Sequence, residues 1–176
     1  MSHLTMPVDT ARDHVQGTED AQVTLVEYGD YECPYCGQAY PLVKQIQAEM
    51  GDKLRFVFRN FPLSEIHPHA AHAAQLAEVA GAQNKFWEMH DSLYDHQKAL
   101  ADFHLKEYAQ AVGIDADAAM QAVSSGQFEE RVREDFLSGV RSGVNGTPTF
   151  FINGQRHDAA WDKDTLLAAL QAAAKG

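Results

Sequence analysis

Residues 23–36 read Val-Thr-Leu-Val-Glu-Tyr-Gly-Asp-Tyr-Glu-Cys-Pro-Tyr-Cys, and this stretch decides the fold class. Its first six residues are mostly β-branched and aliphatic, which predicts a buried strand that ends at Gly29-Asp30. Two cysteines follow the strand directly. From Pro34 onward apolar residues recur at the spacing of a helix, and Gly51 closes that segment. Because proline is tolerated in the first turn of a helix, the predicted helix begins at the cysteine pair.

A second strand follows this helix. Phe56 and Phe58 alternate with Arg55, Val57 and Arg59, and a period of two residues predicts a strand. A strand, a helix and a strand in this order normally form a parallel pair with a right-handed crossover. The sequence therefore predicts a β-α-β unit with the cysteines at its first strand-to-helix junction.

The central part of the chain, residues 68–144, predicts helices alone. It contains an alanine-rich stretch followed by several amphipathic stretches. Asp115 is placed to cap the start of one helix, and Gly126 is placed to end it. We interpret the apolar stripes of these helices as core packing rather than as a cofactor pocket. This region is thus predicted to be an inserted all-helical subdomain.

Sheet signals return after the insert. Thr149–Ile152 predicts a strand, Asn153-Gly154 is a strong hairpin turn, and residues 155–157 predict the return strand before a last helix. The order β-α-β, helices, β-β-α indicates one α/β domain over residues 22–176. The polar segment of residues 1–21 is predicted to be flexible.

Composition narrows the possible partners and location. The chain has 14 Lys and Arg against 25 Asp and Glu, and its net charge of −11 at pH 7 opposes binding to nucleic acid or to anionic membranes. No stretch is apolar and long enough for membrane insertion, and the charged start of the chain does not resemble a signal peptide. We expect a cytoplasmic protein, with export after removal of a signal peptide as the alternative.

The two cysteines of the chain are not the disulfide framework of a small secreted scaffold. A disulfide between Cys33 and Cys36 would close a very small loop, which removes little entropy from the unfolded chain. Such a disulfide has little structural value. The spacing therefore favours a bond that is made and broken in a reaction.

The element order, with Cys-x-x-Cys at the start of the first long helix, resembles the thioredoxin fold, and the helical insert resembles the DsbA family of thiol-disulfide oxidoreductases. The resemblance covers roughly residues 23–173. The motifs that carry it are Val-Glu-Tyr-Gly-Asp-Tyr-Glu-Cys-Pro-Tyr-Cys at 26–36, Phe61-Pro62-Leu63, Ile66-His67-Pro68-His69-Ala70 and Gly146-Thr147-Pro148-Thr149-Phe150. It implies an α/β thioredoxin-like fold with an inserted helical subdomain.

The cysteines have different predicted roles. A helix N-terminus stabilises a thiolate, so Cys33 is the predicted nucleophile. Cys36, one turn further along, is the predicted resolving thiol that releases the substrate. Tyr35 offers no positive charge to the thiolate, and Asp30 and Glu32 are expected to raise the pKa of Cys33. By this argument the pair is less oxidising than the strongest DsbA proteins.

The resemblance implies further site residues. In the DsbA family the bond that matches Thr147-Pro148 is cis and faces the active-site disulfide. Together with Pro34 and Tyr35 these residues are expected to bind an extended substrate segment through backbone hydrogen bonds. The family commonly has an acidic residue at the position of Glu27, which as a buried carboxylate could exchange a proton with the resolving thiol. The alternative is that Glu27 faces solvent.

The sequence predicts an enzyme that exchanges disulfides with protein or peptide thiols and is reset by a redox partner. The redox-active disulfide is the only predicted cofactor, and no metal is expected. One alternative is a glutathione-dependent transferase or isomerase, although such enzymes usually need one nucleophile. Another is a non-catalytic zinc or peptide-binding module, in which the cysteines and His67, His69 or His72 would be ligands. We interpret these histidines as surface or capping residues.

Overall fold

The computed structural model describes residues 2–175 and contains a five-stranded sheet and seven α-helices in that range. The strands are β1 His14–Gln16, β2 Val23–Gly29, β3 Leu54–Asn60, β4 Thr149–Ile152 and β5 Gln155–Arg156. The helices are α1 Pro34–Met50, α2 Ala70–Gly81, α3 Phe86–Asp95, α4 Asp102–Ala111, α5 Ala116–Ser125, α6 Glu129–Arg141 and α7 Lys163–Lys175.

The sheet has the strand order β1-β3-β2-β4-β5. Strands β2 and β3 are parallel, as predicted for two strands joined by the crossover helix α1. The other neighbouring strands are antiparallel. The central strand β2 therefore points its carboxyl end at the start of α1. The predicted thioredoxin-like α/β fold is confirmed.

The side chains of β2 divide between the two faces of the sheet with the period of a strand. Val23 and Leu25 pack with Phe56 and Phe58 of β3, with α1 and with the leucines of α7. Val26 and Tyr28 pack on the opposite face in a second, smaller cluster. Both faces are covered, which explains why β2 is almost continuously apolar.

The inserted helices α2 to α6 span residues 70–141, within the predicted interval. The side chain of Asp115 caps α5 by accepting a hydrogen bond from the Ala118 N–H at 3.0 Å. Gly126 ends the same helix in the left-handed conformation, with φ of 73°. Helices α2 and α3 complete the larger core cluster. No helix within residues 2–175 combines the length and the hydropathy that a bilayer span requires.

The N-terminal segment takes part in the fold within the described residues, in contrast to the prediction that residues 1–21 are flexible, and Met1 lies outside the described residues. Strand β1 pairs antiparallel with β3 and forms one edge of the sheet. Leu4, Val8 and Val15 pack against the smaller core cluster. The buried carboxylate of Asp13 accepts two hydrogen bonds from the buried Arg59 guanidinium, each of 2.9 Å. Polar composition concealed this anchoring, because the charges pair with buried groups distant in sequence.

Candidate redox site

Cys33 lies at the junction between β2 and α1. It is the N-cap residue of α1, with extended backbone angles, and its side chain is almost completely buried. Its backbone N–H donates to the carbonyl of Asp30 at 3.1 Å. Its Sγ donates to the carbonyl of Thr147 at 3.6 Å. Both cysteines of the pair are free thiols in this structure.

The environment of Cys33 favours its thiolate. A hydrogen bond from the Cys36 thiol lowers the pKa of Cys33, and although burial opposes this effect, the pKa falls to about 5 from 9.0. The Thr147 side chain and the backbone N–H groups of Tyr35 and Cys36 act in the same direction. These N–H groups belong to the first turn of α1, where unpaired donors and the helix dipole stabilise an anion. The expected rise of the Cys33 pKa is therefore wrong.

Asp30 and Glu32, which were expected to destabilise the thiolate, are occupied by other partners. Asp30 Oδ2 accepts the Leu63 N–H at 2.9 Å and lies 2.7 Å from His67 Nδ1. Glu32 Oε1 accepts the backbone N–H of His69 at 2.7 Å. The two carboxylates thus fix the loop after β3 against the cysteine loop. One signal for this role is present in the sequence, an acidic residue at the end of a buried strand.

Cys36 and Glu27 form the buried side of the site. Cys36 is fully buried and accepts the Asp30 N–H through its Sγ at 3.5 Å. Burial raises the pKa of the Cys36 thiol well above 9.0, and the nearby charge of Glu27 adds to this rise. Glu27 is itself only 3% exposed, which rules out the solvent-facing alternative. Burial raises the pKa of Glu27 to about 8, with a further contribution from the Cys33 thiolate.

The predicted substrate-binding residues surround Cys33. The Thr147-Pro148 peptide bond is cis, and its Thr147 carbonyl contacts the Cys33 sulfur. Pro34 is exposed at the first position of α1, and Tyr35 is 61% exposed. The structure therefore places the exposed ring of Tyr35 and the cis Thr147-Pro148 bond beside the nucleophile.

Two of the three histidines of the zinc alternative, His67 and His72, have other side-chain partners. His67 contacts Asp30, and His72 Nδ1 lies 2.8 Å from Asp102 Oδ1. Residues 2–175 contain no group of three or more His, Cys, Asp or Glu side chains arranged to hold a metal ion.

One residue at the site was missed by the sequence analysis. Gln97, in the segment between α3 and α4, donates from its side-chain Nε2 to the carbonyl oxygens of Tyr31 and Cys33. The available signal was Gly37, a glycine inside α1 and directly after the cysteine motif.

Comparison with known proteins supports the fold. A family model described as Thioredoxin matches residues 9–172. A protein of Salinispora arenicola named Na⁺/H⁺ antiporter NhaA 1 is 44% identical over 173 residues, which cover 98% of this chain and 26% of the relative. A protein of the same name from a Mycobacterium species is 43% identical over 171 residues, which cover 96% and 28%. The chain spans about a quarter of the length of these curated relatives.

Solved structures extend the comparison. Oxidised BdbD from Bacillus subtilis superposes with a TM-score of 0.88 at 22% identity, and the match covers 100% of both chains. A thioredoxin-like oxidoreductase from Silicibacter pomeroyi gives 0.81 at 24% identity over 94% of both chains. The α-DsbA2 protein of Wolbachia pipientis gives 0.77 at 22% identity over 91% of this chain and 86% of that one. The chain therefore belongs to the thioredoxin family and has the DsbA-like form of its fold.

Proposed function

We propose that this protein oxidises dithiols in protein or peptide substrates by exchanging its Cys33–Cys36 disulfide with them. The observation that carries the proposal is the difference in pKa between the two cysteines. Cys33 has a pKa of about 5, whereas burial raises the pKa of Cys36 well above 9.0. A stabilised thiolate at Cys33 stabilises the reduced form, and a pair whose reduced form is stabilised is an oxidant.

The exchange proceeds in two displacements. A substrate thiolate attacks Cys33 Sγ, the substrate–Cys33 disulfide forms, and the bond between the two cysteine sulfurs breaks. The electron pair passes to Cys36 Sγ, which takes up a proton because its pKa is raised. A second substrate thiolate then attacks the substrate sulfur of the mixed disulfide and expels Cys33 as a thiolate. The substrate has lost two electrons to the cysteine pair.

The substrate class follows from the surface around Cys33. The backbone at Thr147 lies beside Cys33 and would pair with an extended chain, and the exposed ring of Tyr35 adds an apolar contact. Neither feature selects a particular sequence, which suits unfolded or partly folded proteins. An oxidant of this kind functions in an oxidising compartment, which favours export over the cytoplasm. A redox partner must remove the two electrons after each turnover.

The reduction potential of the cysteine pair tests the proposed direction. Thioredoxin, with a nucleophile pKa of about 7, has a potential of about −270 mV, and DsbA, with about 3.5, has about −120 mV. Because Cys33 has a pKa of about 5, we expect an intermediate potential of about −180 mV. The measurement is equilibration in graded glutathione buffers, followed by alkylation and counting of free thiols by mass.

A potential near −270 mV would contradict the oxidant proposal and indicate a reductase. If no reversible disulfide formed, the redox function itself would be wrong. Stoichiometric zinc binding by the same sample would then favour the zinc-binding module.

We infer that Glu27 supplies the proton that Cys36 needs, because the two buried groups interact electrostatically. It lies on the face of the sheet covered by α1, between Phe58 and Phe150 on the neighbouring strands. With a pKa of about 8 it is mostly protonated at neutral pH. Glu27 also lines a small cavity whose wall includes the exposed Lys44 and the half-buried Gln47. In this proposal, Glu27 regains its proton from solvent on the side of this cavity.

Replacing Glu27 with glutamine should slow the first displacement about a hundredfold, since the amide has a similar shape but cannot release a proton. Only protonated Glu27 can donate, so the ratio of wild-type to variant rate should fall as the pH rises through the raised pKa of Glu27. Stopped-flow oxidation of a dithiol peptide, followed by fluorescence, measures this ratio. A constant ratio from pH 6 to pH 9 would contradict the proton-donor role.

The pH dependence of the stability of the oxidised protein gives an independent check on the raised pKa of Glu27. Burial, the main cause of its raised pKa, remains in the oxidised protein, so its contribution is fully present below pH 4.5 and is lost as the pH rises through the raised pKa. The free energy of unfolding should therefore fall over this range in the wild type. The Glu27→Gln variant should lack that part of the pH dependence.

A further inference from the structure

Gln97 connects the helical insert to the start of the active-site helix. Its side-chain Nε2 donates to the Cys33 carbonyl at 2.6 Å and to the Tyr31 carbonyl at 3.0 Å. Both hydrogens of the amide are used in this way. The side chain therefore ties together the residues on both sides of the turn that presents the nucleophile.

The Cys33 carbonyl accepts two hydrogen bonds. One is the helical bond from the Gly37 N–H at 3.1 Å, and the other comes from Gln97. Each N–H places positive partial charge beside the Cys33 backbone and offsets the negative end of its carbonyl dipole. The same bonds hold the first turn of α1 in the geometry that directs its free N–H groups at the sulfur.

Gly37 provides the space for this contact. A Cβ built on Gly37 would overlap the Oε1, Cδ and Nε2 atoms of Gln97. Glycine weakens a helix interior relative to alanine, so its presence inside α1 needs a reason. The close approach of the Gln97 amide to the helix backbone is that reason. Gly37 and Gln97 thus form one contact between two distant parts of the chain.

We propose that Gln97 is a positioning residue that stabilises the Cys33 thiolate through the Cys33 and Tyr31 carbonyls, and thereby raises the reduction potential of the cysteine pair. The inference rests on the proposed dithiol-disulfide exchange and adds to it a residue of the insert. The inserted helices would then tune the redox pair as well as complete the core.

The test is a set of variants in which the contact is removed from either side. Gln97→Met removes the amide while it keeps the length of the side chain, and Gly37→Ala displaces the amide. We expect each change to shift the equilibrium with glutathione three- to tenfold toward the protein disulfide, which lowers the potential by about 15 to 30 mV. The pH midpoint of Cys33 thiolate absorbance at 240 nm should rise by about half a unit to one unit. Gln110→Met, on an exposed face of α4, should change neither value.

The double variant Gln97→Ala/Gly37→Ala separates the proposed contact from a general disturbance of the helix. Once the amide is absent, the added methyl group has space, so Gly37→Ala should cause no further change in potential in the Gln97→Ala background. An equal effect of Gly37→Ala in both backgrounds would overturn the inference. So would wild-type potential and thiolate titration in Gln97→Met. Failure of the wild type to form a reversible disulfide would instead overturn the proposed function.

Discussion

Replacing Cys33 with serine should abolish dithiol oxidation, a loss of at least 10³-fold in rate, because a serine oxygen cannot form the mixed disulfide. The low pKa of Cys33 makes it the good leaving group of the second displacement, and no other thiol in the described chain can replace it. The measurement is oxidation of a dithiol peptide by the protein in a glutathione buffer. Full activity in Cys33→Ser would show that the assignment of the nucleophile is wrong.

The corresponding variant Cys36→Ser should also lose dithiol oxidation, but at a different step from Cys33→Ser. Cys36→Ser keeps a hydroxyl that can donate to the Cys33 sulfur, so the thiolate remains reactive. When the Cys33 thiolate of this variant attacks a disulfide-bonded peptide, one peptide sulfur leaves as a thiolate and no resolving thiol is present, so the mixed disulfide should accumulate and be visible as a mass increase that dithiothreitol removes. If Cys33→Ser trapped substrate and Cys36→Ser did not, the two roles would have to be exchanged.

The central part of the site could be predicted from sequence because its signals are local. The buried strand, the cysteine spacing and the proline at the start of α1 lie within fourteen consecutive residues, 23–36. Their mutual geometry is fixed by the strand-to-helix junction. The cis bond before Pro148 was anticipated from family resemblance alone, since most bonds before proline are trans.

Interactions between distant segments explain what the sequence could not show. The carboxylates of Asp30 and Glu32 were expected to act on Cys33 because they are close in sequence. In the structure they accept hydrogen bonds from the loop after β3, more than thirty residues away. Gln97 reaches the same site from the insert. Sequence proximity predicted which charges are near the sulfur, but not the partners of those charges.

Arg59 shows that the partners of charged residues also could not be predicted for the fold. Alternation in β3 predicted a strand with arginines between aromatic residues, and such arginines usually face solvent. Arg59 is instead fully buried, because its guanidinium meets Asp13 from the N-terminal segment. The burial of Arg59 and the anchoring of the N-terminal segment through Asp13 therefore have one cause, the ion pair between these two residues. Neither Arg59 nor Asp13 indicates its own burial in the sequence unless the other is known to be its partner.

Replacing Arg59 with methionine should lower the free energy of unfolding by about 3 to 5 kcal/mol, because it leaves the Asp13 carboxylate buried without its bidentate partner. The guanidinium also donates to Tyr28 Oη at 2.9 Å and to the Pro7 carbonyl at 3.2 Å, so three segments lose contacts together. Urea unfolding followed by circular dichroism measures the loss. It would be a large part of the 5 to 15 kcal/mol typical of a domain.

Two comparisons show whether loss of the ion pair between Arg59 and Asp13 causes this decrease in stability. The double variant Asp13→Leu/Arg59→Met removes both charges and should regain much of the lost stability. Burial raises the pKa of Asp13, but the hydrogen bonds from Arg59 outweigh it and hold the pKa below 3.8. The contribution of the pair is thus present above pH 3.8 and disappears as the pH falls through the lowered pKa. The difference in free energy of unfolding between wild type and Arg59→Met should therefore narrow in acid. A difference that stayed constant below pH 4 would indicate that lost packing, and not the lost ion pair, causes the decrease in stability.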